Sequence, residues 1–401
     1  MRRNVTVWAA VWLCLFSSMG VDAQPQIQHA NMTVLLNNHM QVIPLRDLGN
    51  RNIAFIRHPE QPALAAMGDM LARYAPIETV NMPGDPTGYH AVDEQLKFYN
   101  TLIVAMGAAD LKDERLMRFI TTQAVGKQLV VAVFGADAGL QALDFVQDPI
   151  LWNAELSARA ARNAAMSIFG GLSCTARLPL SFSARYAVGA GFSTEQTRLE
   201  YSDLTAAGFD AAQLEKTIDA IVEEAIRERA TPGAVVLVAR GGKVIFEKAY
   251  GHHTYEGTTS TRVSDLFDMA SVTKIAATTP TIMRLVERGI IHLDSTMGYY
   301  LLQAQATNKD RTRLRDVMLH EAGFIPYIPF YRNLKQDDLR ADSSADYSVK
   351  VADGCYIRTG YYQEVMWPTM LQSKMNAPGS YVYSDLSMYV MKEVAEHQTG
   401  I

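Results

Sequence analysis

The stretch Asp268-Met269-Ala270-Ser271-Val272-Thr273-Lys274-Ile275-Ala276 sets a serine and a lysine three residues apart at the start of a helical pattern. Residues at that spacing share one helix face, so the hydroxyl and the amine can meet without help from distant chain. A serine alone is a weak nucleophile near neutral pH. An amine beside it, desolvated enough to be partly neutral, can accept the hydroxyl proton. The partial positive charge of a helix N-terminus also favours the oxyanion that such an attack creates. The same residues read equally as an exposed first turn with a solvated lysine, and the spacing alone does not separate the two. Pro280 falls inside this helical pattern and is expected to kink it.

Working outward, the next informative stretch is Pro378-Gly379-Ser380-Tyr381-Val382-Tyr383-Ser384-Asp385-Leu386-Ser387. A Pro-Gly turn signal leads into a tight polar turn in which Tyr383 and Asp385 flank Ser384, ahead of another helical run. A phenol beside an ammonium can be partly ionised and carry protons, and a carboxylate can hold a lysine in place.

Several stretches, taken in order, resemble the serine beta-lactamase-related family, which takes in class C beta-lactamases, DD-peptidases and esterases. Gly233-Ala234-Val235-Val236-Leu237-Val238-Ala239-Arg240-Gly241-Gly242-Lys243-Val244-Ile245 resembles its first hairpin. Ser271 and Lys274 match its nucleophile and partner lysine. Arg313-Leu314-Arg315-Asp316-Val317-Met318-Leu319-His320-Glu321-Ala322-Gly323 resembles a further family segment, and Tyr383-Ser384-Asp385 matches its Tyr-x-Asn motif with Asp for Asn. The resemblance covers residues 205 to 401. It implies that Ser271 is acylated by an amide or ester, that Lys274 takes its proton, and that Tyr383 relays it. Asp385 would orient Lys274, and the Ser271 N–H would supply half of an oxyanion hole. The implied substrates are cell-wall peptides, beta-lactams or small esters, with no metal or organic cofactor. The family's third motif, Lys/His-x-Gly on a later strand, does not occur between Asp385 and Ile401. The expectation is therefore an incomplete α+β domain, a truncated product or fragment of low activity, since one missing oxyanion donor costs about 10²–10³ in rate.

The chain has 401 residues, 48% hydrophobic and 20% charged, with a net charge of −5. That composition is globular, suggests two domains, and offers no basic stripe for nucleic acid. Met1-Arg2-Arg3-Asn4, the apolar run to Phe16 and the small residues Val21-Asp22-Ala23 form a secretory signal over 1–23. The expected location is thus periplasmic or extracellular, with no membrane span after cleavage. Cys14 lies in that signal. Cys174 and Cys355 fall in different expected domains and read as small buried side chains rather than a disulfide.

Residues 24–190 alternate short apolar runs with helical patterns, which predicts an α/β sandwich with a mostly parallel sheet covered on both faces. Strands are expected at Asn52 to Arg57, Ile77 to Val80, Thr101 to Met106, Gln128 to Phe134 and Ile150 to Ala154. Helices are expected at Pro62 to Tyr74 and near Ala91 to Phe98, Leu116 to Val125, Leu140 to Val146 and Ser157 to Phe169. Asp110, Asp113 and Glu114 read as a helix-start cluster, most simply a cap. Met32-Thr33-Val34-Leu35-Leu36-Asn37-Asn38, Ile150-Leu151-Trp152-Asn153-Ala154 and Arg177-Leu178-Pro179-Leu180-Ser181-Phe182 resemble the C-terminal α/β domain of family 3 glycoside hydrolases. In that family the nucleophile sits on a separate barrel, so the resemblance does not transfer glycosidase activity. Residues 191–209 read as a linker and 210–401 as the serine hydrolase domain. That domain opens with a helix capped by Asp210 and Gln213, whose apolar face is expected to pack on the hairpin.

Two other functions stay open: a non-catalytic cell-wall or carbohydrate-binding scaffold, and the remnant of a beta-N-acetylhexosaminidase-like protein. His320-Glu321 begins like a zinc-protease motif, but residue 324 is Phe, and the pair reads as a structural turn. His252-His253 reads as a pair of polar side chains on the surface. Tyr327, Tyr331, Tyr361, Tyr362 and Trp367 read first as packing and second as a substrate cleft.

Overall fold

The computed structural model describes residues 33–135, 139–202 and 210–400. The secretory signal assigned to 1–23, with Cys14, lies outside these residues. Two compact units are present, Met1–Asp265 and Leu266–Ile401.

The first unit is built on a six-stranded sheet. Its strands are β1 (Thr33–Leu36), β2 (Ile53–Arg57), β3 (Ile77–Asn81), β4 (Thr101–Gly107), β5 (Gln128–Phe134) and β6 (Ile150–Asn153), in the order β1-β6-β5-β4-β2-β3. All neighbours are parallel except β1, which pairs antiparallel with β6 at the edge. Alternate residues of β4 show why both faces must be covered. Leu102, Val104 and Met106 enter one core and Ile103 and Ala105 the other, all almost fully buried. Four helices supply that cover: α1 (Pro62–Leu71), α2 (Tyr89–Leu96), α3 (Glu114–Gln123) and α4 (Ala158–Phe169). Small residues Ala160, Ala161, Ala164 and Ala165 bring α4 close to the sheet. Gly170, in the left-handed region at φ 79, ends α4 where a Cβ would lie 2.2 Å from the Thr197 hydroxyl.

Three details differ from the sequence reading. Asp113 does cap α3, accepting from the N–H groups of Arg115 and Leu116, but Asp110 is buried and accepts from the Gly107 N–H and Gln61 instead. The run from Leu140 closes only a 3₁₀ turn, Leu140–Leu143. Its buried residues Leu140, Leu143 and Val146 are three apart, the spacing that eclipses in a 3₁₀ turn. The described part of the expected linker is firmly bonded to its neighbours. The Phe192 N–H donates to Leu35, those of Thr197 and Arg198 donate to Gly170, and Glu200–Tyr201 forms a strand, β7.

The first unit also holds α5 (Ala211–Arg227) and the hairpin β8 (Gly233–Arg240) and β9 (Lys243–Gly251), with β7 parallel on the free side of β9. Asp210 caps α5 by accepting from the Gln213 N–H. Ile218, Val222 and Ile226 then face Phe246 and Tyr250, so the expected packing of this helix on the hairpin is observed. The hairpin residues that resemble the hydrolase family thus lie in the first unit.

The second unit is mainly helical. A π-turn (Lys274–Thr278) runs into α6 (Thr279–Glu287), followed by α7 (Met297–Tyr300), α8 (Leu314–Met318), α9 (Trp367–Gln372) and α10 (Asp385–Thr399). A small sheet of β10 (Leu339–Arg340), β11 (Val349–Ala352) and β12 (Cys355–Ile357) lies between α8 and α9 in the chain. Ile282, Leu285, Leu314, Trp367, Val390 and Val394 share one core. The kink expected at Pro280 appears as the π-turn: proline lacks an N–H for the Ala276 carbonyl, and the wider turn absorbs the gap. Cys174 is buried and Cys355 half-buried, both as free thiols. Among the described residues, no helix is long and apolar enough to cross a membrane.

Candidate active site

Ser271 lies in the first turn of its helix. The Asp268 carboxylate accepts from the Ala270 N–H, Ala270 takes a left-handed φ of 41, and the N–H groups of Thr273 and Lys274 then close tight turns onto Ala270 and Ser271. A left-handed alanine is strained, and here it redirects the chain immediately before the serine. Lys274, one turn on, places Nζ 3.1 Å from the Ser271 Oγ and 2.8 Å from the Asp385 Oδ1. The expected one-face geometry is therefore observed.

Asp385 and Tyr383 come from 111 and 109 residues downstream by way of a zipped loop pair. The N–H groups of Asn376, Gly379, Val382 and Asp385 donate to the carbonyls of Gly323, Glu321, His320 and Pro326 in turn. Gly323 is required there: it sits at φ 81, and a Cβ would lie 2.3 Å from the Asn376 carbonyl oxygen. Fully buried Ser384 anchors the turn through its hydroxyl, which donates to Ile325 at 2.6 Å. Its neighbours on either side are left facing Lys274, whose Nζ lies 5.3 Å from the centre of the Tyr383 ring.

The charges are arranged differently from the sequence reading. Burial pulls the Lys274 pKa down, but its hydrogen bonds with Asp385 and Tyr383 outweigh that, and the net direction is up. The amine beside Ser271 is thus an ammonium rather than a partly neutral base. The phenol moves the other way. Hydrogen bonding with Ser271, then with Lys274, holds Tyr383 below the ordinary phenol value, with Asp385 opposing.

His320, read from sequence as a turn residue, packs against this group. At φ 58 it is one of the strained positions of the loop. Its Nδ1 accepts from the Ser384 N–H at 3.2 Å and lies 3.2 Å from the Ser387 hydroxyl, which leaves the proton on Nε2. Its ring lies 4.9 Å from that of Tyr383. Burial first, then the Lys274 charge, keeps its pKa low. A histidine two residues after a helix end gives no sequence signal for this; only the Tyr383 turn folding back onto it does.

A cavity of about 540 Å³ opens beside Ser271 and Lys274. One face of α10 lines it with Asp385, Met388, Tyr389 and Lys392, at helical spacing, and Tyr362 completes the wall. Lys392 is tied to Glu393 and Glu396 and lies over the Tyr362 ring. Of the other aromatics, Tyr361 and Trp367 are buried packing, whereas Tyr327 and Tyr331 are exposed. His253 pairs with Asp265 at 2.7 Å. His90, Asp93 and Glu94 on α2 have ligand atoms within 4.8 Å of one another, but Asp93 and Glu94 already accept from Gln123 and Lys97.

The unit thus holds a serine at a helix start, a lysine on its face, and a carboxylate and a phenol delivered by one distant turn. Residues 218–400 match the protein-family model described as Beta-lactamase. The chain is 29% identical over 202 residues to Esterase EstB of Burkholderia gladioli, covering 49% of each protein. It is 27% identical over 207 residues to N-acetylmuramyl-L-alanine amidase of Bacillus subtilis (strain 168), covering 48% of this chain and 43% of that protein. The chain thus spans about half the length of these curated relatives. The N-terminal part is similar to a solved structure titled for a GCN5-related glucosamine N-acetyltransferase region in the fungal multi-domain GH3 beta-N-acetylglucosaminidase. That match has 20% identity and a TM-score of 0.35, covering 40% of this chain and 19% of the other.

Proposed function

We propose that residues 210–401 form a serine hydrolase domain that cleaves an amide or an ester through an acyl-Ser271 intermediate. The observation that carries this is the contact of the Ser271 hydroxyl with a lysine fixed by Asp385. Relatives named as an esterase and an amidase support the substrate class. In this reading Tyr383, held toward its ionised form by Ser271 and Lys274, takes the Ser271 proton as Oγ attacks the substrate carbonyl carbon. The oxyanion of the tetrahedral intermediate is met by the Ser271 backbone N–H at the positive end of the helix. Collapse breaks the bond to the leaving alcohol or amine, which receives the proton back from Tyr383. Water then repeats the steps on the acyl-serine, again with Tyr383 as the proton acceptor, and releases a carboxylic acid. Lys274 remains an ammonium throughout and Asp385 fixes its position. The substrate is a small molecule or a cell-wall-derived peptide, seated in the cavity walled by Met388 and Tyr389. The basic start and apolar run within 1–23 support export to the periplasm or beyond.

The test is covalent labelling of the full chain with a fluorophosphonate and with a fluorescent penicillin. Labelling by either that disappears in Ser271→Ala is the expected result. Folded protein that takes neither label supports the non-catalytic scaffold instead.

A further inference from the structure

We propose that the first unit carries a binding site for a small organic carboxylate, in a cavity of about 730 Å³ between α1 and α4 on one side and β7 and β9 on the other. Four cations and two carboxylates line it. The carboxylates are already engaged: Glu247 with Arg73 at 2.5 Å, and Glu200 with Lys243 at 2.8 Å. Arg159 and Arg162 have no acidic partner among the described residues, and both are exposed into this space. They stand three apart on α4 and so share one face.

Their position on the helix argues for a ligand. Both lie within the first five residues of α4, where the macrodipole disfavours a cation, and the first turn holds no acidic residue to offset them. An anion bound there satisfies the two guanidinium groups together. A concave wall concentrates this potential more than a flat surface does. Guanidinium forks match a carboxylate with paired hydrogen bonds. Besides the polar Asn163 and Ser202, the wall includes Tyr201, Met70, Met166 and Leu172, whose apolar surface suits the body of an organic acid, which inorganic phosphate lacks. Arg73 stacks on the Tyr201 ring at 5.1 Å and fixes that wall.

Isothermal titration of the full chain with benzylsuccinate, succinate, inorganic phosphate and glucose tests this. Saturable binding of benzylsuccinate is expected, tighter than that of succinate or phosphate and weaker at high salt, with none for glucose. The Arg159→Ala/Arg162→Ala double variant should lose at least tenfold in affinity with an unchanged Tm, since both side chains are exposed. Arg118→Ala, an exposed arginine on α3, should bind like the parent. Absence of saturable binding overturns the site, as does a double variant that binds like the parent. Phosphate binding as tightly as benzylsuccinate overturns the carboxylate assignment.

Discussion

Two lysines of the second unit sit in opposite environments. Lys274 meets a serine hydroxyl and a carboxylate, and its pKa rises even though it is partly buried. Lys309 is 2% exposed and bonds only neutral oxygens: Asn308 Oδ1 at 2.9 Å, the Leu371 carbonyl at 3.1 Å and the Ser373 carbonyl at 2.7 Å. Among the described residues it has no counter-ion, and burial drives its pKa down to about 8. Desolvation makes a lysine acidic enough to give up its proton only where no carboxylate accompanies it. The lysine with the neutral tendency therefore ties the loop at 308–309 to the end of α9, and the one beside Ser271 stays charged. In the proposed mechanism the proton acceptor for Ser271 is therefore Tyr383.

Removing that acceptor should give the largest effect. Tyr383→Phe is expected to lower kcat by about 10²–10⁴. Its Tm should stay unchanged, because the ring is 43% exposed and the turn is anchored by Ser384 rather than by the phenol. Steady-state kinetics on an activated ester would show this. A loss below about threefold would return the base role to Lys274 and erase the contrast between the two lysines.

The other side of the comparison is tested through stability. Lys309→Met removes a cation that three oxygens surround, and leaves the Leu371 carbonyl without that donor. A loss of about 1–3 kcal/mol is expected from the unpaired groups, with kcat per folded molecule within threefold of the parent. The pH dependence gives a sharper signature. Between about pH 8 and the ordinary lysine pKa of about 10.4, the unfolded chain keeps a proton that native Lys309 has released. More protons on the unfolded state means that parent stability rises with pH across that window, and the Lys309 contribution to the rise is absent in the Met variant. Urea unfolding at pH 7.5, 9 and 10 would measure it. Equal slopes for the two proteins would show that Lys309 keeps its proton in the fold.

Sequence periodicity carried the first unit well, because a parallel sheet buried on both faces writes itself as continuous apolar runs such as Thr101 to Met106. The serine–lysine spacing was equally legible, being local to one helix. What the sequence could not disclose arises from contacts between distant segments. The sign of the Lys274 shift depends on a carboxylate 111 residues away, and the neighbourhood of His320 depends on the loop at 376–385 folding back along 320–326. Lys309 gave no signal either: an isolated lysine in a polar stretch reads as a solvated one, and only the packed end of α9 encloses it.

The finest test of the contrast keeps the hydrogen bond and removes the charge. In Asp385→Asn the amide oxygen can still accept from Lys274, so the plateau rate should change by less than about tenfold. The electrostatics should change more clearly. Asp385 raises the pKa of both Lys274 and Tyr383. Without its charge the amine becomes a weaker base while remaining an ammonium near neutral pH, and the phenol loses the negative charge that disfavours its ionised form. Activity that requires the Tyr383 phenolate falls as pH drops through the phenol pKa, so the acid limb of kcat/KM should move to lower pH, by about one unit. A pH–rate profile of the variant decides the point. A limb that stays in place, or moves upward, would show that the group titrating there is not the phenol, and the ammonium at residue 274 would lose its distinction from the buried one at 309.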